Sequence, residues 1–457
     1  MRLCFGMCGL LLLMSLPVAG RAETSPRPNV IIFFVDDMGF ADIGSFGSRR
    51  HRTPCLDRMA AEGTRFTQFY NGSTACSPSR SSLMTGCYAS RIGMDGRVCF
   101  PNEPKALNPL EYTVAEVLKD AGYSTGIFGK WHLGHLPGYL PPTHGFDEYW
   151  GIPYSNDMWR GRYPPLPFIH NNEPVAIVAE GEDQALLTRA FTDAALSFIR
   201  KNSQRPFFAC VPFSAVHAPH FGHPDFLARV EKGFRGNKAY KAQVEEIDAC
   251  VGEVVSLLRE LKLDRKTLVL FMSDNGGIRE SEIQPLRGWK GGPPYEGHMR
   301  TPLLTWWPGT IPAGKVCDGF GCTVDLLPTL ATFCGGTLSE HKIDGVDLSA
   351  MFCDPEHTES PRRRIYYKGV GLREGQWKLL SGELYDLAVD IGEQANLAAK
   401  HPDIVKSLGK KLEVLKKSID KDSRPNARMK PCGPLVSMED AKGLPRLAEW
   451  MADRKSP

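Results

Sequence analysis

The feature that most constrains the fold of this chain is a series of short, unbroken apolar runs that alternate with amphipathic segments. The run NVIIFFV at 29–35 has no polar face, which is typical of a strand buried on both sides of a sheet. Strands are also predicted at 124–129, 206–213 and 267–273, and helices at 53–63, 113–122, 184–201 and 240–262. Strands alternating with helices predict an α/β fold, in which a large, mostly parallel sheet carries helices on both faces.

The pattern changes near residue 359. Short strand-like pieces interrupted by glycine follow, which predicts an antiparallel sheet, and 401–420 has helical spacing. We therefore predict a large domain at 23–358 and a smaller C-terminal α+β domain at 359–457 that ends in a loosely packed tail.

The first 22 residues have the pattern of an export signal. Arg2 precedes a short apolar run at 9–18, and Gly20 and Ala22 fit a cleavage site after Ala22. The run is short for a membrane span, although an anchoring helix is the alternative, and no later segment has about 18 unbroken apolar residues. We expect an exported protein without stable membrane insertion, periplasmic or secreted, or in a lysosomal-type compartment if the source is eukaryotic.

Export bears on the cysteines, because an oxidising compartment permits disulfides. Eleven of the 13 cysteines follow the predicted signal, since Cys4 and Cys8 lie within it. Several of them could pair, and Cys317 and Cys322 are close enough in sequence to be one candidate pair. Buried free thiols are the alternative for the others.

The net charge of +3 is small for a chain of 457 residues. Nucleic-acid binders that neutralise phosphates carry a large basic excess, so this class of protein is disfavoured. Any basic site must be local.

Oxygen-bearing side chains follow two of the predicted strands. Asp36 and Asp37 come after the first strand, and Asp274 and Asn275 come after the last. Sites in open α/β sheets gather at the carboxyl ends of strands. Each pair alone could be a turn or a helix cap, but carboxylate and amide oxygens together favour a site for Ca²⁺ or Mg²⁺.

Basic side chains and histidines gather at the same predicted edge or near it. The set comprises Arg80, Lys130, His132, His217, His220 and Lys290. Each could singly be a solvated lysine or a structural histidine. Beside a cation they would form a site for an anion.

Cys76 lies in the polar stretch NGSTACSPSR, a setting that predicts exposure and either a disulfide or a reactive group. Pro78 suits the first turn of a helix. If 78–85 is helical, Arg80 shares a face with Cys76 at the i, i+4 spacing. The N-terminus of that helix would point at the anion.

These motifs resemble those of the type I sulfatases. CSPSR at 76–80 and GKWHLG at 129–134 are similar to the two signatures of that family, and NVIIFFVDDMG, HAPH, SDNGG and EGHMRTPLLTWWPG follow its order over residues 28–400. GIPYSNDM at 151–158, with Ser155, is similar to the arylsulfatase A and N-acetylgalactosamine-6-sulfatase branch. The resemblance implies an alkaline-phosphatase-like fold and a sulfuric ester hydrolase that acts on a sulfated carbohydrate or aryl sulfate.

In that family a separate formylglycine-generating enzyme oxidises the motif cysteine to Cα-formylglycine, so the resemblance implies this change at Cys76. A hydroxyl of the hydrated aldehyde would then attack sulfur. The implied metal ligands are Asp36, Asp37, Cys76, Asp274 and Asn275. The implied catalytic residues are Cys76, Arg80, Lys130, His132, His217 and Lys290, with Ser155, Lys130, His217 and Lys290 binding substrate.

Particular roles follow from the same resemblance. His217 is expected to protonate the leaving alcohol, and His132 to act as a base or to hold the hydrated aldehyde. Lys130 and Lys290 would hold the sulfate oxygens. His298 stands where the family often has glycine, and it would point toward the substrate entrance or only replace a turn glycine. The candidates for contacts with the sugar are Asn156, Asp157, Trp159, Arg160, His220 and His298.

Two other functions remain open at this point. A phosphate or phosphonate monoester hydrolase could use the same fold. A non-catalytic protein that binds sulfated glycans would follow if Cys76 stays a thiol or pairs in a disulfide.

Overall fold

The structure is a computed structural model that describes residues 27–159, 161–430 and 432–455. The predicted signal peptide at 1–22 and Arg160 lie outside the described residues.

Strands and helices alternate through the first two thirds of the chain, as predicted. The strands are β1 (Asn29–Val35), β2 (Thr64–Tyr70), β3 (Lys105–Ala106), β4 (Ser124–Lys130), β5 (Glu148–Ile152), β6 (Pro167–His170), β7 (Glu173–Ile177), β8 (Phe207–Val211), β9 (Thr267–Ser273), β10 (Arg300–Trp306), β11 (Lys315–Cys317), β12 (Gly321–Cys322), β13 (Arg364–Tyr367), β14 (Gly371–Glu374), β15 (Trp377–Leu380), β16 (Glu383–Asp386) and β17 (Ala427–Arg428). The helices are α1 (Pro54–Glu62), α2 (Cys76–Thr85), α3 (Val114–Asp120), α4 (Glu182–Lys201), α5 (Pro224–Leu227), α6 (Lys238–Glu260), α7 (Glu296–Met299), α8 (Leu326–Cys334), α9 (Ser349–Cys353), α10 (Pro402–Lys421) and α11 (Leu447–Lys455).

The large sheet has the strand order β11-β2-β10-β9-β1-β8-β4-β5-β6-β7, with β12 paired to β2. The central strands β9, β1, β8, β4 and β5 are parallel, while β10, β6 and β7 are antiparallel to their neighbours. The predicted mixed, mostly parallel sheet is therefore confirmed.

Strand β1 runs through the middle of the sheet and is buried along its whole length. Ile31 and Phe33 pack into a core with α1, α4 and α6, whereas Ile32 and Phe34 pack into a second core with α2, α3 and α8. Two buried faces explain why the run has no polar positions.

The smaller C-terminal sheet is an antiparallel meander of β13 to β16. Its core includes Leu372 and Leu379, and Leu408 and Leu412 of α10 pack on it. The predicted antiparallel C-terminal sheet is thus confirmed, and the domain boundary near residue 359 stays a prediction.

The prediction of a loosely packed tail is wrong. Leu447 and Met451 of α11 join the large core, and Arg446 pairs with Asp183 at 3.1 Å. Just before the predicted tail, which begins at residue 434, β17 pairs with β3. The short polar elements of the tail are therefore held by contacts distant in sequence.

The predicted disulfides are absent among the described cysteines, all eleven of which are free thiols. Cys317 pairs with Phe66 across β2, and Cys322 pairs with Tyr70 four residues further along the same strand. The two cysteines therefore lie roughly 13 Å apart along the sheet, well beyond the Cα separation of about 7 Å that a disulfide can span.

Within the described residues, no helix combines the length and the apolar character needed to cross a membrane.

Candidate active site

Cys76 begins α2, the helix predicted at 78–85, and the whole helix is buried. The expectation that Cys76 is exposed is wrong, since its residue exposure is 2%. Some hydroxyls of this buried polar helix are satisfied: Ser81 Oγ donates to Pro78 O at 2.7 Å and Thr85 Oγ1 donates to Ser81 O at 2.8 Å. The hydroxyls of Ser79 and Ser82 have no hydrogen-bond partner among the described residues. Gly86 ends the helix in the left-handed region with a φ of 67°.

Strands β1 and β9 bring the predicted oxygen ligands together. Their register pairs Val35 with Ser273, so the residues that follow each strand emerge at one edge of the sheet. One carboxylate oxygen from each of Asp36, Asp37 and Asp274 lies within 4.8 Å of the others.

Asn275 completes this group. Its Nδ2 donates to Asp37 Oδ1 at 2.7 Å, while its buried Oδ1 has no hydrogen-bond partner within the described part of the chain. A buried acceptor without a donor, beside three carboxylates, fits a hard divalent cation. These residues therefore fit the predicted metal.

Three basic side chains lie against these carboxylates. Arg80 Nη2 donates to Asp274 Oδ2 at 2.9 Å, Lys130 Nζ bonds to Asp36, and Lys290 Nζ lies 2.7 Å from Asp37 Oδ1. The structure thus brings together the predicted anion-binding residues of three separate segments.

Lys130 and Lys290 also contact two other predicted site residues. Lys130 Nζ donates to Ser155 Oγ at 3.0 Å, and Lys290 Nζ lies 3.2 Å from Cys76 Sγ. Cys76 Sγ also lies 3.4 Å from Asp36 Oδ1. Cys76 therefore stands between the acidic group and the basic residues.

The two predicted catalytic histidines differ in their surroundings. His132 is buried with a φ of 62°, and neither ring nitrogen has a hydrogen-bond partner among the residues that the structure describes. The side chain of His217 is 15% exposed, its Nδ1 lies 2.5 Å from Ala218 O, and its Nε2 lies 3.7 Å from Asp37 Oδ2. His217 is thus open to a substrate at the rim, while His132 is enclosed.

Burial and local charge set the protonation of the carboxyl groups. Burial opposes the ionisation of Asp36, but nearby positive charge, chiefly that of Lys130, holds its pKa well below its usual range. Burial and the charge of Asp36 instead raise the pKa of Asp274 to about 7. Negative charge is therefore concentrated on Asp36, on one side of the acidic group, and a bound cation there would offset it.

The same factors act on Cys76 and on the two histidines. Burial and the Asp36 charge raise the pKa of the Cys76 thiol to about 12, so the group is a poor thiolate nucleophile. Burial lowers the pKa of His132 well below its usual range, with Lys130 adding to this effect, and burial with the Lys290 charge lowers that of His217.

Two of the five described candidates for sugar contacts, Asn156 and His298, are buried and not open to a ligand. His298 is 3% exposed, with Nε2 3.0 Å from Thr74 O and Nδ1 3.1 Å from Gly292 O, so the alternative that it points toward the substrate entrance is wrong. Asn156 is buried, and Trp159 is half-buried against the core. Asp157 is exposed, and His220 is half-buried with Nδ1 3.2 Å from Gln243 Oε1.

One exposed residue at the site, Trp289, is absent from the predicted set. It directly precedes Lys290 in the segment RGWKGG. A lone aromatic residue beside a basic one in a glycine-rich loop is the sequence signal that could have found it.

The fold and the site together define an alkaline-phosphatase-like hydrolase with a site for an anionic ester. Residues 28–336 match the Sulfatase family, and the chain belongs to that family. It is 37% identical over 401 residues to N-acetylgalactosamine-6-sulfatase of Canis lupus familiaris, a match that covers 81% of this chain and 74% of the relative. It is 34% identical over 473 residues to arylsulfatase A of Homo sapiens, covering 88% and 90%.

A solved structure supports the same assignment. The crystal structure of Ps i-CgsB in complex with k-i-k-neocarrahexaose has a TM-score of 0.76 and 27% sequence identity, covering 94% of this chain and 98% of that one. The predicted family and branch are confirmed. The protein is a sulfuric ester hydrolase, and the phosphate or phosphonate alternative is not favoured.

Proposed function

We propose that this protein releases inorganic sulfate from a sulfated carbohydrate, with a Cα-formylglycine made from Cys76 and a bound Ca²⁺, for which Mg²⁺ is the alternative. The observation that carries the proposal is the position of Cys76. Its Sγ lies 3.4 Å from Asp36 Oδ1 and 3.2 Å from Lys290 Nζ, between a metal-type group and an anion-binding group.

A carbohydrate is favoured over a simple aryl sulfate by the similar proteins. One of them is named N-acetylgalactosamine-6-sulfatase, and another is crystallised with k-i-k-neocarrahexaose. The site is also open at His217, where a sugar can approach.

The cation would be held by Asp36, Asp37, Asp274, Asn275 and the residue formed from Cys76. When bound, it would make a coordinated hydroxyl more acidic and offset the charge of the sulfate. The unpaired Oδ1 of Asn275 and the raised pKa of Asp274 support this assignment.

Lys130, Lys290 and Ser155 would bind the sulfate oxygens. Lys130 Nζ already lies between Asp36 and Ser155 Oγ, so it can orient an anion against the oxygen-rich group. Arg80, on the first turns of α2, would hold Asp274 in place through its 2.9 Å bond, and its positive charge would offset the carboxylates of the site. Fixed positive groups in a buried site stabilise charge that develops during sulfuryl transfer.

His217 would donate a proton from Nε2 to the leaving oxygen. A sugar alkoxide is a poor leaving group, so it needs a general acid within reach. His217 suits this role because its ring is the more open of the two histidines and because Asp37, 3.7 Å from its Nε2, favours the protonated ring against the opposing effects of burial and Lys290 on its pKa.

His132 would accept a proton at a ring nitrogen when sulfate is released. Its pKa is lowered well below the usual range, chiefly by burial, so the ring is neutral and able to accept. Its two unpaired nitrogens, within the described part of the chain, support the role. The hydrated aldehyde would supply the attacking hydroxyl and a second hydroxyl through which the sulfate is expelled, which a serine lacks.

The modification would precede folding and involve a separate formylglycine-generating enzyme. Cys76 is 2% exposed in the folded chain, which would deny another enzyme access to it. Export through the signal at 1–22, to the periplasm or outside the cell, is part of the same proposal.

Mass spectrometry of the peptide that contains residue 76 tests this proposal, together with assays of sulfate release from sulfated sugars. We expect the mass decrease for conversion of CH₂SH to CHO in protein from the native host, and loss of activity in Cys76→Ala. Cys353→Ala, at an exposed cysteine, is the control and should retain activity. An unmodified Cys76 in fully active protein would contradict the proposal.

A further inference from the structure

Residues 276–295, which we call the lysine loop, connect β9 to α7 and carry Lys290 into the site. Lys290 Nζ lies 3.2 Å from Cys76 Sγ, while the adjacent Trp289 is 43% exposed. Trp289 is the only aromatic residue among the exposed large hydrophobic side chains of the described chain. The protein therefore keeps one large aromatic ring open to solvent, next to a residue of the proposed catalytic group.

The backbone of the lysine loop fixes this arrangement. Gly288 and Gly291 flank the two residues with φ values of 82° and 89°, in the left-handed region that favours glycine. Lys290 N donates to Gly277 O at 2.9 Å, which ties the two arms of the loop together. Trp289 and Lys290 thus form a fixed pair in which one side chain reaches inward and the other lies outside.

Arg279, on the opposite arm of the loop, lies over the ring of Trp289, with its guanidinium carbon 5.7 Å from the ring centroid. Arg279 is exposed, and no carboxylate of the described residues lies within ion-pair distance of it. A guanidinium held by an aromatic face and without an acidic partner is available for an external anion.

We propose that Trp289 and Arg279 form a second sugar subsite, which binds the unit next to the sulfated sugar. The ring of Trp289 would stack on the apolar face of a pyranose, and Arg279 would bind an anionic group on that sugar. This inference rests on the proposed function, because Lys290 defines where the reacting sulfate lies. The ligand class is an oligosaccharide that carries a second anionic group beside the sulfate to be removed.

The second anionic group would be an oxyanion. Its source would be either the planar carboxylate of a uronic acid or the tetrahedral group of a further sulfate ester. Both accept paired hydrogen bonds from the forked donors of arginine. Trp and Arg, together with Tyr, are also enriched among the residues that dominate binding energy at protein–protein interfaces. Substrates that carry either the carboxylate or the sulfate are needed to distinguish between the two groups.

Steady-state kinetics on matched substrates test the subsite. The substrates are 4-nitrophenyl sulfate and three disaccharides with the same sulfated sugar, whose second unit is neutral, carries a carboxylate or carries a sulfate. The variants are Trp289→Ala and Arg279→Ala. The controls are Leu110→Ala, at an exposed apolar residue, and Arg363→Ala, at an exposed arginine, neither of which belongs to the lysine loop.

We expect Trp289→Ala to lower kcat/KM for all three disaccharides by about tenfold relative to 4-nitrophenyl sulfate. Arg279→Ala should remove the preference for the anionic disaccharides and leave the neutral one unaffected, and the anion whose advantage disappears identifies the natural group. The controls should match the wild type.

Wild-type ratios in both variants would overturn the subsite while leaving the sulfatase intact. Failure of the proposed function is a different result, in which the wild type releases no sulfate from any of the four substrates. Because both residues are exposed, and 4-nitrophenyl sulfate is measured in parallel, a folding defect would lower every rate together and not the ratios.

Discussion

Lys290 and Cys76 are in contact although 214 residues separate them in sequence, with Lys290 Nζ 3.2 Å from Cys76 Sγ. Lys290 also lies 2.7 Å from Asp37 Oδ1, and the charge of Asp37 raises the pKa of Lys290 well above its usual range despite burial. The ammonium group is therefore charged at all working pH values and stands beside the proposed nucleophile.

Replacement of Lys290 should affect turnover strongly. We expect Lys290→Ala to lower kcat/KM for sulfate esters by about 10²–10³-fold, since removal of one fixed donor at developing negative charge has an effect of this size. Steady-state sulfate release measures it. Lys201→Ala, at an exposed lysine paired with Glu148, is the control and should behave as the wild type. A loss smaller than about threefold in Lys290→Ala would contradict the assigned role.

Replacement of His217 should produce a loss that depends on the leaving group. A general acid contributes about 10²–10⁴-fold when the leaving oxygen needs a proton. We expect His217→Ala to lose activity in this range on a sugar sulfate, and much less on 4-nitrophenyl sulfate, whose phenolate leaves unaided. The control is His223→Ala, a partly exposed histidine six residues further along the chain that pairs with Asp225 and not with the site's carboxylates. Equal losses on the two substrates would show that His217 does not protonate the leaving group.

Metal should stabilise the folded protein. Three buried carboxylates within 4.8 Å of one another repel without a cation. We expect Ca²⁺ at 100 times its Kd to add about 2.7 kcal/mol to the free energy of unfolding, seen as a higher melting temperature. Chelation should lower both the melting temperature and the activity.

The variant Asp274→Asn should abolish this thermal shift. A matched control exists in a second acidic group, formed by Asp42, His51 and Glu282. Its two carboxylates already accept backbone hydrogen bonds, Asp42 Oδ1 from Glu282 N at 2.7 Å and Glu282 Oε2 from Arg49 N at 3.1 Å. Glu282→Gln should therefore keep the Ca²⁺-induced shift. Loss of the shift in Glu282→Gln and not in Asp274→Asn would place the metal in the second group.

The sequence was sufficient to predict the fold where the signal is local. The unbroken apolar run of β1 predicts a strand with two buried faces, and both faces are buried in the structure. Since the carboxyl ends of parallel strands lie at one edge of a sheet, Asp36 and Asp274 could be expected at the same edge. Their close approach depends on the pairing and register of β1 and β9, which the sequence does not determine.

Features that depend on distant contacts could not be predicted in this way. The polarity of α2 suggests a surface helix, but its burial comes from elements far along the chain. The position of Trp289 beside the site depends on the contact between Lys290 and Cys76, which are 214 residues apart in sequence. The docking of α11 likewise depends on Asp183, whose carboxylate bonds to Arg446 across 263 residues of sequence.

Glu296 should make the free energy of unfolding depend on pH in the acid range. It is fully buried and accepts hydrogen bonds from Tyr70 and Tyr367 at 2.6 Å, which joins the large sheet to the C-terminal one. Burial opposes its ionisation, but positive charge, chiefly that of Lys378, lowers its pKa to about 2. Because the pKa of Glu296 is lower in the folded state than in the unfolded state, where it is about 4.5, ionised Glu296 stabilises the folded protein at pH values above about 4.5.

This contribution should therefore be lost as the pH falls from about 4.5 to about 2. We expect Glu296→Gln to be less stable than the wild type at neutral pH, by on the order of 3 kcal/mol, and to lose less stability over the acid range. Chemical denaturation at a series of pH values measures both. Glu413→Gln, at an exposed residue, should follow the wild type. Parallel curves for Glu296→Gln and the wild type would exclude this role.

His298 should position the two segments that meet at Cys76. Its Nε2 lies 3.0 Å from Thr74 O, two residues before Cys76, and its Nδ1 lies 3.1 Å from Gly292 O, two residues after Lys290. The ring thus spans the gap between the segments that hold Lys290 against the nucleophile position. Glycine at this place would remove both contacts and leave a void in a buried region.

We expect His298→Gly to lower kcat by about tenfold with little change in KM, because misplacement of a fixed donor weakens transition-state binding more than substrate binding. His298→Gln retains a donor that can reach one of the two carbonyls, so it should recover part of the loss. Steady-state kinetics of both variants separate kcat from KM, and thermal melting reports any general loss of stability. If His298→Gly raised KM and left kcat unchanged, His298 would act on substrate binding and not on the position of Lys290.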